Sequence, residues 1–332
     1  MRRLFLLAGL LFALPAHAVS IDWVTVGDPG NDCDAQPGGC FGSVDYVYRI
    51  GKYEITNAQY AEFLNAVAQT DTYGLYNTNM ADPTCEEVWD PCGGITRNGG
   101  PGDYTYSATA GRENMPVNIV SFYDALRFAN WLHNGQPTGA QGYETTEDGA
   151  YAMIAENYLS GPVITRSADA SIFLTSEDEW YKAAYYDAST LVYNLFPFAD
   201  GFDGAACEAP PGTSSHSANC NWSVGDPTDV GSYTGSASVE GTSDQGGNVW
   251  EWNEAIISTT PIRGLRGGSR GSDPLDLAAS LRNNQNPVYE GGGIGFRVAM
   301  IPEPSTALLL ACGLAGLAAA RRRRATSIPR SA

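Results

Sequence analysis

The sequence predicts a compact, loop-dominated domain with few, short helices and strands. Glycine is abundant, 38 of 332 residues, and the apolar periodic segments are short and scattered. Three stretches carry a helical stripe, each opened by a side chain able to cap it. Alternating stretches near residues 46–56 and 263–300 read as strands. With neither an internal repeat nor a linker-like run, residues 19–300 form one unit.

Taken in order, YVYRIGKYEIT (46–56) alternates as a strand pair. Thr56-Asn57-Ala58-Gln59 is a capping-box pattern that puts Tyr60, Phe63, Leu64 and Val67 on one face. Residues 71–114 are rich in Gly, Asn, Tyr and Pro without helical period, and read as a functional surface loop or a poorly ordered one. Ser121 opens a second helix with Phe122, Ala125, Leu126, Ala129 and Leu132 inward, and Ser176 a third with Trp180, Ala183 and Ala184 inward. RGLRGGS (263–269) and GIGFRVAM (293–300) read as two more strands.

The two ends have a different character. MRRLFLLAGLLFALPAHA, residues 1–18, has the basic pair, apolar run and small-x-small ending of a cleavable secretory signal. Residues 301–324 hold Pro-Glu-Pro, an apolar stretch from Ala307 to Ala320 and four arginines, followed by a short tail at 325–332. The apolar stretch is shorter than the roughly 20 residues that span a bilayer core, but the arginines fit a cytoplasmic stop. This segment resembles the PEP-CTERM sorting signal of Gram-negative bacteria. That resemblance implies exosortase-type processing machinery, transient membrane anchoring, and an exported destination in the periplasm, outer envelope or extracellular space.

Formal charge is −18, and seven of the 19 basic residues lie in these ends against one of the 37 acids, leaving the body at −24. Such a body repels phosphate backbones, which argues against nucleic acid, and it tolerates divalent cations. Its six cysteines, Cys33, Cys40, Cys85, Cys92, Cys207 and Cys220, are spaced as three local pairs. An oxidising compartment favours disulfides, and local pairing is the simplest of 15 connectivities. No C-x-x-C motif supports a zinc site.

YEITNAQYAEFLN, MPVNIVSFYDALRFANWL, LTSEDEWYKAAYY, GGNVWEW, LRGGS and GFRVA, in this order, resemble the signature series of the formylglycine-generating enzyme family, or sulfatase-modifying factors. The resemblance runs from about Val44 to Met300. It implies a single α+β domain with a C-type-lectin-like core. Active members oxidise a sulfatase cysteine to formylglycine with molecular oxygen and a copper ion held by two cysteines. Cu(I) prefers sulfur, and thiolates are its natural ligands. Yet residues 263–300 contain no cysteine, and an ungapped match places the family's pair at Ser272 and Leu277. Copper is therefore not expected. Trp250, Ser269, Arg282 and Arg297 match the family's pocket and closing segments. They imply either a cleft that still binds something or residues kept for packing and turn formation.

The stretch DQGGNVWEWN (244–253) offers two carboxylates around a glycine pair, a suitable start for calcium, which takes six to eight oxygens. The resemblance implies a structural Ca²⁺ held by the Asp244 and Glu251 side chains and the Gly247 and Val249 carbonyls. A second site would use Asn219, the Cys220 carbonyl and Asp226. Against the first stands a buried ion pair of Glu251 with Arg266 or Arg270. Trp250 and Trp252 then alternate, one towards a pocket and one towards core or surface. Three functions follow as expectations. One is a non-catalytic binding or structural envelope component, with a polysaccharide or protein ligand. Another is an oxidoreductase acting on a protein or small thiol through a harder metal at Ser272, Asp273, Asp276 and Arg282. The third is a calcium-dependent saccharide-binding module.

Overall fold

The computed structural model describes residues 18–84, 92–153, 163–257 and 262–302. The N-terminal signal, the apolar tail and Cys85 lie outside the described residues. Among the described residues no helix is long and apolar enough to cross a membrane.

The three helices form where the caps place them: α1 Asn57–Val67, α2 Phe122–His133 and α3 Glu177–Tyr185. Each starts with a reciprocal capping box, Thr56 with Gln59, Ser121 with Asp124 and Ser176 with Glu179, which satisfies backbone donors that a helix start leaves open. The expected stripes are buried in all three. Rings from α1 and α2 interlock: Phe63 lies 5.3 Å from Phe128, and Phe128 lies 5.4 Å from Phe296.

Two four-stranded sheets flank this aromatic core. The first contains β1 Trp23–Val26, β2 Tyr48–Gly51, β3 Ile172–Leu174 and β8 Val298–Met300, in the order β1-β2-β8-β3 and antiparallel throughout. The second holds β4 Trp250–Ile256, β5 Arg263–Arg266, β6 Asn283–Gln285 and β7 Ile294–Gly295, in the order β6-β5-β4-β7. Only β4 and β7 run parallel. Residues 46–56 thus give one strand, not two. After β2 the chain turns away, and β2 finds its partners in β1 and β8 instead.

The 71–114 segment is not a bare loop. Ile95–Asn98 and Thr105–Ala108 pair as an antiparallel hairpin against α1, where the Arg97 guanidinium stacks between Tyr76 and Tyr104 at 4.7 and 4.2 Å. Disulfides join Cys33 to Cys40 and Cys207 to Cys220, as their spacing predicts.

The cap of α2 makes stability depend on pH. Burial, then the adjacent Glu290 carboxylate, pushes Asp124 up to about 8. An ordinary unfolded aspartate titrates near 4. Between these values the folded chain holds a proton that the unfolded chain has released, so this contribution is full below about pH 4 and lost as pH rises through about 8. Stability should fall across that window by at most about 1.4 kcal/mol per pH unit from this group, and the thermal midpoint with it. Asp124→Asn should flatten the slope, as read by thermal melts from pH 5 to 8.

Candidate functional site

Strand β4 sets the geometry. Trp250 and Trp252 share one face and bury in the main core, where Trp252 Nε1 donates to the Val120 carbonyl at 3.0 Å. Period-two alternation turns Glu251, between them, to the opposite side. There it is fully buried. Arg297 grips it with two parallel bonds, Nε to Oε2 at 2.6 Å and Nη2 to Oε1 at 2.6 Å, and Trp180 Nε1 donates to Oε2 at 2.8 Å. The remaining Arg297 donors reach the carbonyls of Gly51, Lys52 and Ser243.

A buried ion pair therefore exists, but its arginine is Arg297 rather than Arg266 or Arg270. Arg266 lies opposite Glu251 in the strand register, yet its guanidinium goes to Glu177, with Nε to Oε1 at 2.8 Å. Arg282 donates to the same carboxylate, Nε to Oε1 at 2.8 Å. Arg270 bonds the Gly292 carbonyl and lies over Trp222. Both β4 tryptophans are buried, Trp252 fully and Trp250 nearly so.

Two further carboxylates approach the Arg297 pair. Asp244, at φ +60°, accepts the Gly231 N–H. The residue keeps some exposure, but its carboxylate lies below the surface, and that burial pushes Asp244 up to about 6. Glu54 is buried, and burial followed by the Asp244 charge pushes it well above the carboxylate range. Sequence reasoning missed Glu54, although a lone acid in an alternating stretch ahead of a helix cap is a visible signal. Asn248 donates to Glu54 Oε1 at 3.1 Å and accepts from Asn219 Nδ2 at 3.2 Å. The outer oxygens of that chain, Glu54 Oε2 and Asn219 Oδ1, are buried without a hydrogen-bond partner.

The Asp244 and Glu251 carboxylates outnumber the one guanidinium, Glu54 adds an acid that burial keeps protonated, and the orphaned Glu54 and Asn219 oxygens belong to the same side-chain chain. This suits a hard cation. Among the described residues no group of three or more His, Cys, Asp or Glu side chains is arranged to hold a metal, so any ligand set here must lean on backbone carbonyls. Gly247 permits that. Its φ is +89°, and an added Cβ would lie 2.4 Å from the Asn219 carbonyl oxygen, so no other residue lets these two loops meet. Asp226 is not free for a second site, because Arg112 forks onto both its oxygens at 2.7 Å.

The cysteine-free loop closes on itself. Ser272 Oγ accepts the Ser269 N–H at 3.0 Å, and Ser272 N–H returns to the Ser269 carbonyl at 2.9 Å. Leu277 ends a 3-10 turn, Pro274–Leu277, capped by the Asp273 carboxylate. Fully buried, it packs with Phe196, Phe198, Ala218 and Cys220. A Cβ on Gly246 or Gly268 would come within 3.2 or 2.9 Å of its methyls, so the side chain is wedged between two bare backbones. Every cysteine among the described residues is in a disulfide.

A compact, loop-rich α+β domain with three capped helices and a tryptophan-bearing central strand is the class these features define. The sulfatase-modifying factor enzyme 1-like domain matches residues 44–301, and the PEP-CTERM protein-sorting motif matches 301–324. The chain belongs to the sulfatase-modifying factor family, and its sorting motif implies exosortase-mediated processing and suggests export to the envelope. It is 24% identical over 283 residues to the hercynine oxygenase of Mycolicibacterium smegmatis, covering 76% of this chain and 52% of that protein. The Mycobacterium tuberculosis hercynine oxygenase is also 24% identical, over 277 residues, with the same coverages. The chain thus spans about half the length of these relatives. Among solved structures, Treponema denticola variable protein 1 aligns at TM-score 0.50 and 18% identity, over 87% of this chain and 98% of that one. CarF aligns at 0.48 and 20%, covering 86% and 99%.

Proposed function

We propose that the chain is a non-catalytic member of its family, exported to the envelope and acting there as a binding or structural component. One observation carries this: Leu277, where an ungapped match places one of the two family cysteines, is a fully buried wedge, so an apolar side chain fills space that a thiolate–copper centre there would need. Ser269 and Ser272 complete the plug by bonding one another. Trp250 and Ser269 accordingly serve packing and turn formation. The test is to incubate purified protein with copper, oxygen and a sulfatase-type cysteine peptide. No aldehyde above background is expected, and catalytic turnover to aldehyde would overturn the proposal.

An oxidoreductase working through a harder metal gains less support. Asp273 is spent capping the 3-10 turn, and Arg282 is committed to Glu177 rather than to Ser272 or Asp276.

The scaffold reading includes a structural calcium at the 244–251 turn, with Asp244 and the Gly247 and Val249 carbonyls as donors and Glu54 close by, while Glu251, forked by Arg297 as Asp226 is by Arg112, stays with its guanidinium. The orphaned Glu54 oxygen supports it. Chelation should lower the thermal midpoint, and restoring calcium to a hundredfold over its dissociation constant should return about 2.7 kcal/mol. Asp244→Ala should abolish that response. A midpoint indifferent to chelator in the unaltered protein would exclude the ion.

A further inference from the structure

Two adjoining cavities of about 590 and 440 Å³, lined by none of residues 244–251, share the walls Asn65, Ala66 and Thr138. Together they form one groove between the end of α1 and the turn that follows α2. Its size is that of a small-molecule site. We propose that this groove binds a neutral oligosaccharide, a site distinct from the plugged family site and compatible with either outcome of the aldehyde test.

The lining chemistry carries the argument. In a chain of formal charge −18, the groove presents little charge: Glu62, at the rim, is its single ionisable side chain, and once residues 1–18 are removed the Val19 ammonium held by Gln136 stands opposite it in sign. An anionic ligand finds no arginine or lysine there. What it does offer is a row of neutral hydrogen-bonding groups. Gln69, Thr70, Thr72 and Thr138 are exposed, and their side chains bond to nothing among the described residues, so their donors and acceptors point to solvent ready for use. Each hydroxyl both donates and accepts, as sugar hydroxyls do. Ala66 runs along the wall common to both cavities, and a small part of Trp131 reaches the larger one, which gives the groove an apolar strip beside its hydroxyls.

The walls are also fixed before any ligand arrives. Asn65 is tied to Tyr106 by bonds in both directions, 2.8 and 2.9 Å. Gln141 accepts the Tyr73 N–H at 2.7 Å and donates to Asp71. Gln136, at φ +59°, clamps both backbone groups of Val19, accepting its N–H at 2.6 Å and donating to its carbonyl at 2.9 Å. Gly139 N–H closes onto the Ala66 carbonyl at 2.9 Å. A pre-ordered site loses less entropy on binding.

Titration calorimetry of the full exported protein against neutral malto-, cello- and manno-oligosaccharides, their uronic-acid counterparts and an uncharged peptide tests this. At least one neutral series should bind. Thr138→Trp, which fills the junction of the two cavities, should weaken binding by about tenfold or more, and Gln69→Ala with Thr72→Ala by about threefold or more. Thermal midpoints should stay unchanged in both variants. If the tryptophan variant fails to fold, the alanine pair carries the test. Binding of none of the neutral series, binding only of the acidic sugars or the peptide, or unchanged affinity in the folded variants would overturn the proposal.

Discussion

Replacing Glu251 by leucine is expected to destabilise the domain by about 3–5 kcal/mol, the cost of leaving a buried guanidinium without its counter-ion. Arg297 has no exposure through which to recover water, and Trp180 Nε1 would lose its acceptor as well. The double variant Glu251→Leu with Arg297→Met should recover much of the loss, because apolar groups of similar volume can replace a buried pair at little cost. Denaturant midpoints of the three proteins measure this. A single variant within about 1 kcal/mol of the parent would mean that the pair is solvated.

Leu277→Ala is the second large effect, expected at about 2–5 kcal/mol, since neighbours held by a disulfide and by glycine backbones cannot collapse into the space left behind. Chemical denaturation gives the loss directly. A cost under about 1 kcal/mol would show a site able to relax, and would reopen the question of a cleft beneath the 3-10 turn.

Local signals were read well from the sequence, and pairings at a distance were not. The helices announced themselves because Thr56, Ser121 and Ser176 each have a reciprocal partner three residues on, a relation contained within four letters. The Cys33–Cys40 and Cys207–Cys220 bridges were equally local. The partner of Glu251 was not. Arg266 is its cross-strand neighbour, but α3 brings Glu177 to Arg266, while Arg297 arrives from 46 residues away. Glu54 escaped because its alternation resembled a second strand, when in fact the chain leaves the sheet after Gly51. The plug at Leu277 depends on Phe196, Phe198 and the 207–220 bridge, which periodicity does not connect to it.

Strand β8 ends at Met300 between β2 and β3, inside the first sheet, and the sorting motif begins at the next residue. Six residues, 301–306, lie between that strand and the apolar stretch that opens at Ala307. Six extended residues reach at most about 20 Å, which bounds how far the body can stand from anything that holds the apolar stretch. Any tug on the tail loads an interior strand rather than a peelable edge.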